Sequence, residues 1–262
     1  MNYESICIKT CEVVKQTADF ILGEWNRLKQ DNVEIKGIHN FVTYVDKQSE
    51  IQLVEQFQKI LPNSVFITEE ETIAQNQGEF TWIIDPLDGT TNYIHHLSPV
   101  AISVALYHNQ EPVVGIIYEI GQRECFYTWK GGKAFMNNRN ISVSSSNSIK
   151  ESLIATGFPY YDYSRINNML QTLDYLFKNS HGVRRLGSAA TDLAYVACGR
   201  FDAFYEYSLH AWDVAAGAFL VQQAGGRVCD FKGGNRYLFG KEIMASNDLV
   251  YNEFLNFIST KF

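Results

Sequence analysis

The stretch IIDPLDGTTNY, residues 83–93, sets two carboxylates, a proline and a glycine at the end of an apolar run. Pro86 fixes its own φ and drives Asp85 toward extended geometry. Gly89 permits a tight approach of the backbone, and Thr90-Thr91 can open a helix. Such a turn can aim the Asp85 and Asp88 carboxylates and the Leu87 carbonyl at one point. It also leaves N–H groups at Gly89 and Thr90 where a phosphate could sit. An all-oxygen set suits a hard cation such as Mg²⁺ better than Zn²⁺. A bare D-P-x-D-G is equally a plain turn, because Asp, Pro and Gly are turn formers. The apolar strand before it and GTTN after it favour a site.

Two other acids gain meaning only in company. Glu69-Glu70-Glu71 close the apolar run VFITEE. Alone, such a run is a solvated loop, but two neighbouring strand ends could present Glu69 and Asp85 together. Asp213 falls in the first turn of the apolar helix HAWDVAAGAFLVQQAGG. An isolated Asp there complements the helix dipole, yet Trp212 makes that helix start partly buried, and a buried carboxylate needs a partner such as a metal. Adjacent His95 and His96 cannot easily chelate one ion. WKGGKAF lacks the phosphate-loop frame, and no G-x-S-x-G occurs.

The elements that must position these residues follow from periodicity. Helices are expected over roughly 4–28 and 47–61, with KGIHNFVTYVD between them as an extended turn carrying Lys36 and Asp46. VFITEE and TWIID read as short strands, the second ended at once by Pro86. VAISVALYH, VVGIIYEI and ECFYTWKG, separated by turn-rich NQEP and GQR, read as an antiparallel meander. Beyond it strands alternate with helices: SLIATG, a helix over roughly 163–178, VRRLG, SAATDLAYVACG, FDAFYEYSL, the Asp213 helix, EIMASN and a C-terminal helix. The Ser-rich SVSSSNSIK divides the chain into halves, 1–145 and 146–262.

A chain of 262 residues, 46% hydrophobic and 19% charged, can bury a sizeable core. A net charge of −7 argues against a nucleic-acid surface but not against an anionic substrate, since divalent cations invert the charge of an acidic pocket. Cys7, Cys11, Cys125, Cys198 and Cys229 are scattered and form no C-x-x-C pair; Cys7 and Cys11 lie in an apolar helical stripe and read as core thiols. MNYESICIKT lacks the features of a signal peptide, and no run is long enough to span a membrane, so a cytoplasmic enzyme without membrane or direct nucleic-acid partners is expected.

VTYVD ending at Asp46, ITEE with Glu69, DPLDGTTN with Asp85 and Asp88, and WDVAAGAFLVQQAGG with Asp213 together resemble the inositol monophosphatase family. This belongs to the lithium-sensitive, magnesium-dependent phosphatases that include fructose-1,6-bisphosphatase. TGFP and GSAATDLAYVACGRFDAFYE are also similar, and the match runs in order from about Lys36 to Gly226. The resemblance implies a layered α-β-α-β-α sandwich (an α+β or α/β fold like that of fructose-1,6-bisphosphatase) with the site between the halves.

It further implies two to three Mg²⁺ per site. Glu69, Asp85 and the Leu87 carbonyl would hold the first, Asp85, Asp88 and Asp213 the second, and Glu69 with waters a third. Gly89 and Thr90 would bind phosphate through their N–H groups. Asp88, Glu206 and the Ala189 backbone would face substrate hydroxyls. Thr90, hydrogen-bonded to Asp46 and assisted by Glu69, would orient and deprotonate the attacking water. Asn40 stands where many members carry an acid. The implied molecule is a homodimer acting on a small phosphate monoester, inositol monophosphate foremost. The 2′-phosphate of NADP, fructose 1,6-bisphosphate and histidinol phosphate are alternative substrates, and a non-catalytic partner-binding protein is a second alternative. Tyr160, Tyr161 and Tyr163, after TGFP, either pack a loop or offer flat rings for stacking at the mouth.

Overall fold

The computed structural model describes every residue except 26, 28–32, 38, 39 and 160, and for 33–37 and 40–42 it describes the backbone alone. Helix α1 (Tyr3–Trp25) buries Ile6, Cys7, Cys11, Val14, Ala18 and Ile21, the stripe expected of an amphipathic helix. Its expected last residues, 26 and 28, lie outside the described residues. Strands β1 (Val33–Gly37) and β2 (Asn40–Thr43) pair antiparallel where an extended turn was expected. Helix α2 (Tyr44–Ile60) then begins three residues before the expected start at 47. A capping box explains the shift. The Asp46 carboxylate accepts from the Thr43 N–H (2.9 Å) and hydroxyl (2.6 Å), while the Thr43 oxygen accepts from the Val45 N–H (3.1 Å).

Strands β3 (Val65–Thr68) and β4 (Phe80–Asp88) are parallel. After helix α3 (Thr90–Ile94), β5 (Ala101–His108), β6 (Glu111–Glu119) and β7 (Glu124–Trp129) form the expected antiparallel meander. Two short strands, β8 (Phe135–Met136) and β9 (Arg139–Asn140), complete a seven-stranded sheet in the order β3-β4-β5-β6-β7-β8-β9. The remaining chain alternates as expected: β10 (Leu153–Thr156), α4 (Ile166–Asn179), β11 (Gly182–Arg184), α5 (Ala189–Ala197), β12 (Ala203–Tyr207), α6 (Ala211–Gln223), β13 (Arg227–Cys229), β14 (Glu242–Ser246) and α7 (Tyr251–Lys261). Its five strands run β11-β10-β12-β14-β13, parallel around β10 and antiparallel around β14.

Three buried clusters define five layers. One face of the large sheet (Trp82, Ile84, Val104, Ile116) packs on α1 and α2. Its other face (Ile83, Ala105, Ile117, Phe126) packs on α5 and α6, which also cover the inner face of the second sheet through Phe204 and Ala245. The outer face of the second sheet, with Tyr205 and Met244, packs on α4 and α7. All nine residues of α5 are buried, as a helix sandwiched between two sheets requires. All five cysteines are free, and all but Cys198 are buried. No described helix is long and apolar enough to cross a membrane.

Candidate active site

Strand β4 does not stop at Pro86 as expected; it continues to Asp88 through an irregularity. Asp85 pairs with Ser103 and Asp88 with Ala101, so three steps on β4 oppose two on β5. The extra residue is a β-bulge, and proline is tolerated there because a bulge needs no donor. The consequence is geometric. Residues three apart on a regular strand face opposite sides, but the bulge resets the phase. Leu87 enters the cluster against α1 and α2. Asp85 and Asp88 therefore both look into the middle layer.

Each neighbouring element adds an acid to that layer. At the end of β3 the Glu69 N–H bonds the Ile84 carbonyl (3.3 Å), which seats Glu69 beside Asp85. Asp213 occupies the first turn of α6 and accepts from the His210 N–H (2.6 Å). Ser103 donates to the Trp212 carbonyl (3.0 Å), bringing that helix start against β5. From the second sheet, Glu206 projects from β12 and is 7% exposed. Its neighbour Gly157 is required, since a Cβ there would lie 1.9 Å from Glu206 Oε1. These residues line one cleft of about 440 Å³, with Leu87, Gly89, Thr90, Ala189 and Arg185 in its wall. That volume lies within the range of small-ligand pockets.

Asp46 does not reach the cleft wall. It stands behind Thr90, whose hydroxyl donates toward Asp46 Oδ1 (3.2 Å) and the Leu87 carbonyl (3.1 Å). Gly89, at φ +93°, caps α3 in the left-handed region where a side chain would be strained. The Gly89 N–H also favours the ionised form of the Asp88 carboxylate. Asp88 also accepts from the Ser188 hydroxyl (2.7 Å) and the Ala190 N–H (2.8 Å) at the start of α5. Two helix N-termini thus meet at the acids and offset part of their charge. His95 and His96 are exposed and lie away from the wall, as expected. Tyr161 lines the cleft; Tyr163 does not, and Tyr160 lies outside the described residues. The side chains of Lys36 and Asn40 also lie outside them.

The electrostatics are those of crowded acids. Burial pushes the Glu69, Asp85 and Asp213 carboxyls well above the ordinary carboxylate range, and repulsion within the group adds to it. Desolvation lifts Asp88 to about 6, against the opposing pull of its Ser188 and Ala190 donors. Glu206 rises to about 8, through burial first and the charge of Asp88 second. Burial raises Asp46 as well. A divalent cation resolves such crowding by supplying the missing positive charge. Among the described residues no three Asp, Glu, His or Cys side chains by themselves make a metal cage. The fit therefore requires carbonyl and water oxygens as well, which Mg²⁺ takes readily. With the Leu87 carbonyl in the wall, the donor set suits that ion.

Asp192, Arg185, Ser188 and His210 also line the cleft, and none was singled out as a site residue from the sequence. Asp192 carried a usable signal. It is the one acid in SAATDLAYVACG, and an acid in an all-apolar helix must face a polar cavity. Its carboxyl is pushed well up by burial and then by Glu206.

This layering is the fructose-1,6-bisphosphatase-like sandwich, with an acidic cleft between its sheets. The sequence pattern of the inositol monophosphatase family matches residues 2–259, and the chain belongs to that family. An inositol-1-monophosphatase of Mesorhizobium japonicum is 36% identical over 233 residues, 88% of either chain. The Nus factor SuhB of Haemophilus influenzae is 39% identical over 234 residues, again 88% of either chain. Among solved structures, the extragenic suppressor protein suhB of Bartonella henselae covers 100% of both chains at 32% identity, with a TM-score of 0.90. The inositol monophosphatase of Anabaena covers 99% of this chain and 97% of its own, with a TM-score of 0.89 at 32% identity. Membership implies a phosphatase of the hydrolase class that uses Mg²⁺.

Proposed function

We propose that this chain hydrolyses a phosphate monoester, inositol monophosphate foremost, with Mg²⁺. The observation that carries this reading is the gathering of Glu69, Asp85, Asp88 and Asp213 in one cleft, with the Asp46–Thr90 pair set against it. Glu69, Asp85, Asp88, Asp213 and the Leu87 carbonyl would hold two or three ions. When bound, Mg²⁺ supplies the Lewis acidity that lowers the pKa of the attacking water and takes up charge on the phosphoryl oxygens. The protein does the rest. The Gly89 and Thr90 N–H groups orient phosphate oxygens. The Thr90 hydroxyl passes its proton toward Asp46 as it draws one from the water, and Glu69 assists. Asp88, Glu206 and the Ala189 backbone address the substrate's hydroxyls, and the two chain halves, 1–145 and 146–262, close on it from either side.

The test is phosphate release from inositol phosphates, fructose 1,6-bisphosphate, histidinol phosphate and NADP, with Mg²⁺ and with EDTA. Mg²⁺-dependent release that is greatest on inositol monophosphate is expected, and Li⁺ should inhibit it. Release that persists in EDTA rejects the metal reading. Relatives named Nus factors support a second reading, in which the protein also serves a protein partner. No release from any substrate would leave that reading alone. A cytoplasmic homodimer belongs to the same proposal, and sedimentation measures its oligomeric part.

A further inference from the structure

Glu50 on α2 has no exposed surface, yet nothing in the reaction above uses it. It projects among apolar neighbours of its own helix, Leu53, Val54 and Phe57, where a carboxylate is costly unless its oxygens are bonded. They are. Oε1 accepts from the Thr68 hydroxyl (3.0 Å), the Thr72 N–H (2.7 Å) and the Thr72 hydroxyl (2.6 Å), and Oε2 accepts from the Glu70 N–H (2.8 Å). The donors bracket Glu69. Thr68 precedes it, Glu70 follows it, and Thr72 ends the same turn.

The place of Glu50 on α2 gives these bonds a second meaning. It lies four residues after Asp46, one turn along the same helix face and about 6 Å further along its axis. Asp46 holds Thr90, in the turn that follows Asp85 and Asp88. Glu50 holds the turn that carries Glu69. Successive turns of one rigid helix therefore grip the two acidic loops that meet at the cleft. Besides this second grip, Glu69 is held by its N–H bond to the Ile84 carbonyl, at 3.3 Å, and by a side-chain hydrogen bond with Asp85.

We infer that Glu50 is a positioning residue, which sets Glu69 at its distance from Asp85 and so prepares the Mg²⁺ position the two share. This rests on Glu69 and Asp85 being Mg²⁺ ligands. Groups that orient metal ligands from behind typically alter metal affinity about 10- to 100-fold when changed.

The experiment is Mg²⁺ binding by calorimetry without substrate, together with hydrogen exchange of the metal-free protein. Glu50→Gln keeps the shape, but whichever way its amide lies one backbone donor then faces an NH₂ group. The Glu70 or the Thr72 amide should therefore lose protection, and Mg²⁺ should bind about 10- to 100-fold more weakly. Thr72→Val removes one hydroxyl donor at an exposed residue, so it leaves the core folded should Glu50→Gln not fold. A weakening of about two- to tenfold is expected from it. Wild-type affinity in folded Glu50→Gln, or in Thr72→Val if Glu50→Gln does not fold, overturns the role of Glu50 alone. Wild-type protein that binds no Mg²⁺ overturns the metal reading of the cleft itself.

Discussion

Asp88 Oδ2 accepts from the Ala190 N–H at 2.8 Å, so a residue at the end of β4 is fastened to the first turn of α5. The Ser188 hydroxyl bonds the same oxygen at 2.7 Å, which leaves the other oxygen for the cleft. In Asp88→Asn the amide oxygen can keep both donors while NH₂ replaces the cleft oxygen. The variant should melt within a few degrees of wild type and lose at least about 10²- to 10³-fold in Mg²⁺-dependent turnover, the scale of losing one electrostatic stabiliser. Circular dichroism and phosphate release measure the two. Near wild-type turnover would remove Asp88 from the ligand set.

Thr90→Ala removes the hydroxyl that lies between Asp46 and the cleft but keeps the backbone N–H for phosphate. A large fall in kcat with little change in KM is expected, the signature of an interaction needed mainly in the transition state. A large rise in KM at unchanged kcat would contradict that role.

The raised carboxyls make a pH prediction for the metal-free protein. Below an unfolded pKa of about 4 to 4.5 both states hold their protons, and these groups cost nothing. Above it the unfolded chain releases protons that the fold retains, so stability falls as pH rises. The window closes at about 6 for Asp88 and about 8 for Glu206. In EDTA, the Tm should decline from pH 5 to pH 8. Added Mg²⁺ should raise it more at pH 8 than at pH 5, because the acids must be ionised to bind the ion. A Tm in EDTA that climbs across this range would count against the clustered acids.

Among the described residues, Tyr161 is the tyrosine after TGFP that reaches the cleft, tied to the Ser208 carbonyl (3.1 Å) and sharing a hydrogen bond with His210 Nε2 (2.6 Å). The residue is 48% exposed, enough for its ring to stack on a base or nicotinamide. Tyr161→Ala should lower kcat/KM on NADP about five- to 100-fold, the range measured for stacking on aromatic side chains. Inositol phosphate should be nearly unaffected. Equal losses on both substrates, or no wild-type activity on NADP, reject the stacking role.

The order of strands and helices was legible because it rests on local pattern, whereas the layered sandwich and the convergence of the acids came from the family resemblance. Apolar, β-branched and aromatic runs marked the strands, and Glu69 and Asp85 follow two of those runs directly. What stayed hidden depends on contacts between distant segments. Pro86 reads as a strand terminator, because a bulge shows only in pairing with β5. Glu50 drew no reading at all from the sequence, because its donors lie 18 to 22 residues away on another element. The early start of α2 had a local sign in Thr43 and Asp46, a T-x-x-D capping pattern with Asp in place of the usual Glu.

The bulge in β4 also says how this strand can vary over generations. Exchanging Leu87 for another apolar residue leaves the phase of the strand alone. Deleting one residue between Asp85 and Asp88 would abolish the bulge. The two acids, then two apart on a plain strand, would still share a face, but the bulged backbone that brings the Leu87 carbonyl to the cleft wall would be lost. Inserting one while the bulge persists would shift the phase by one and turn one of the two acids toward α1 and α2. Changes of length in this segment should therefore be far rarer among descendants than changes of letter. A library of single-residue deletions across 80–89, scored for phosphate release, should show a sharp gap in tolerance at 86 and 87 even where substitutions survive.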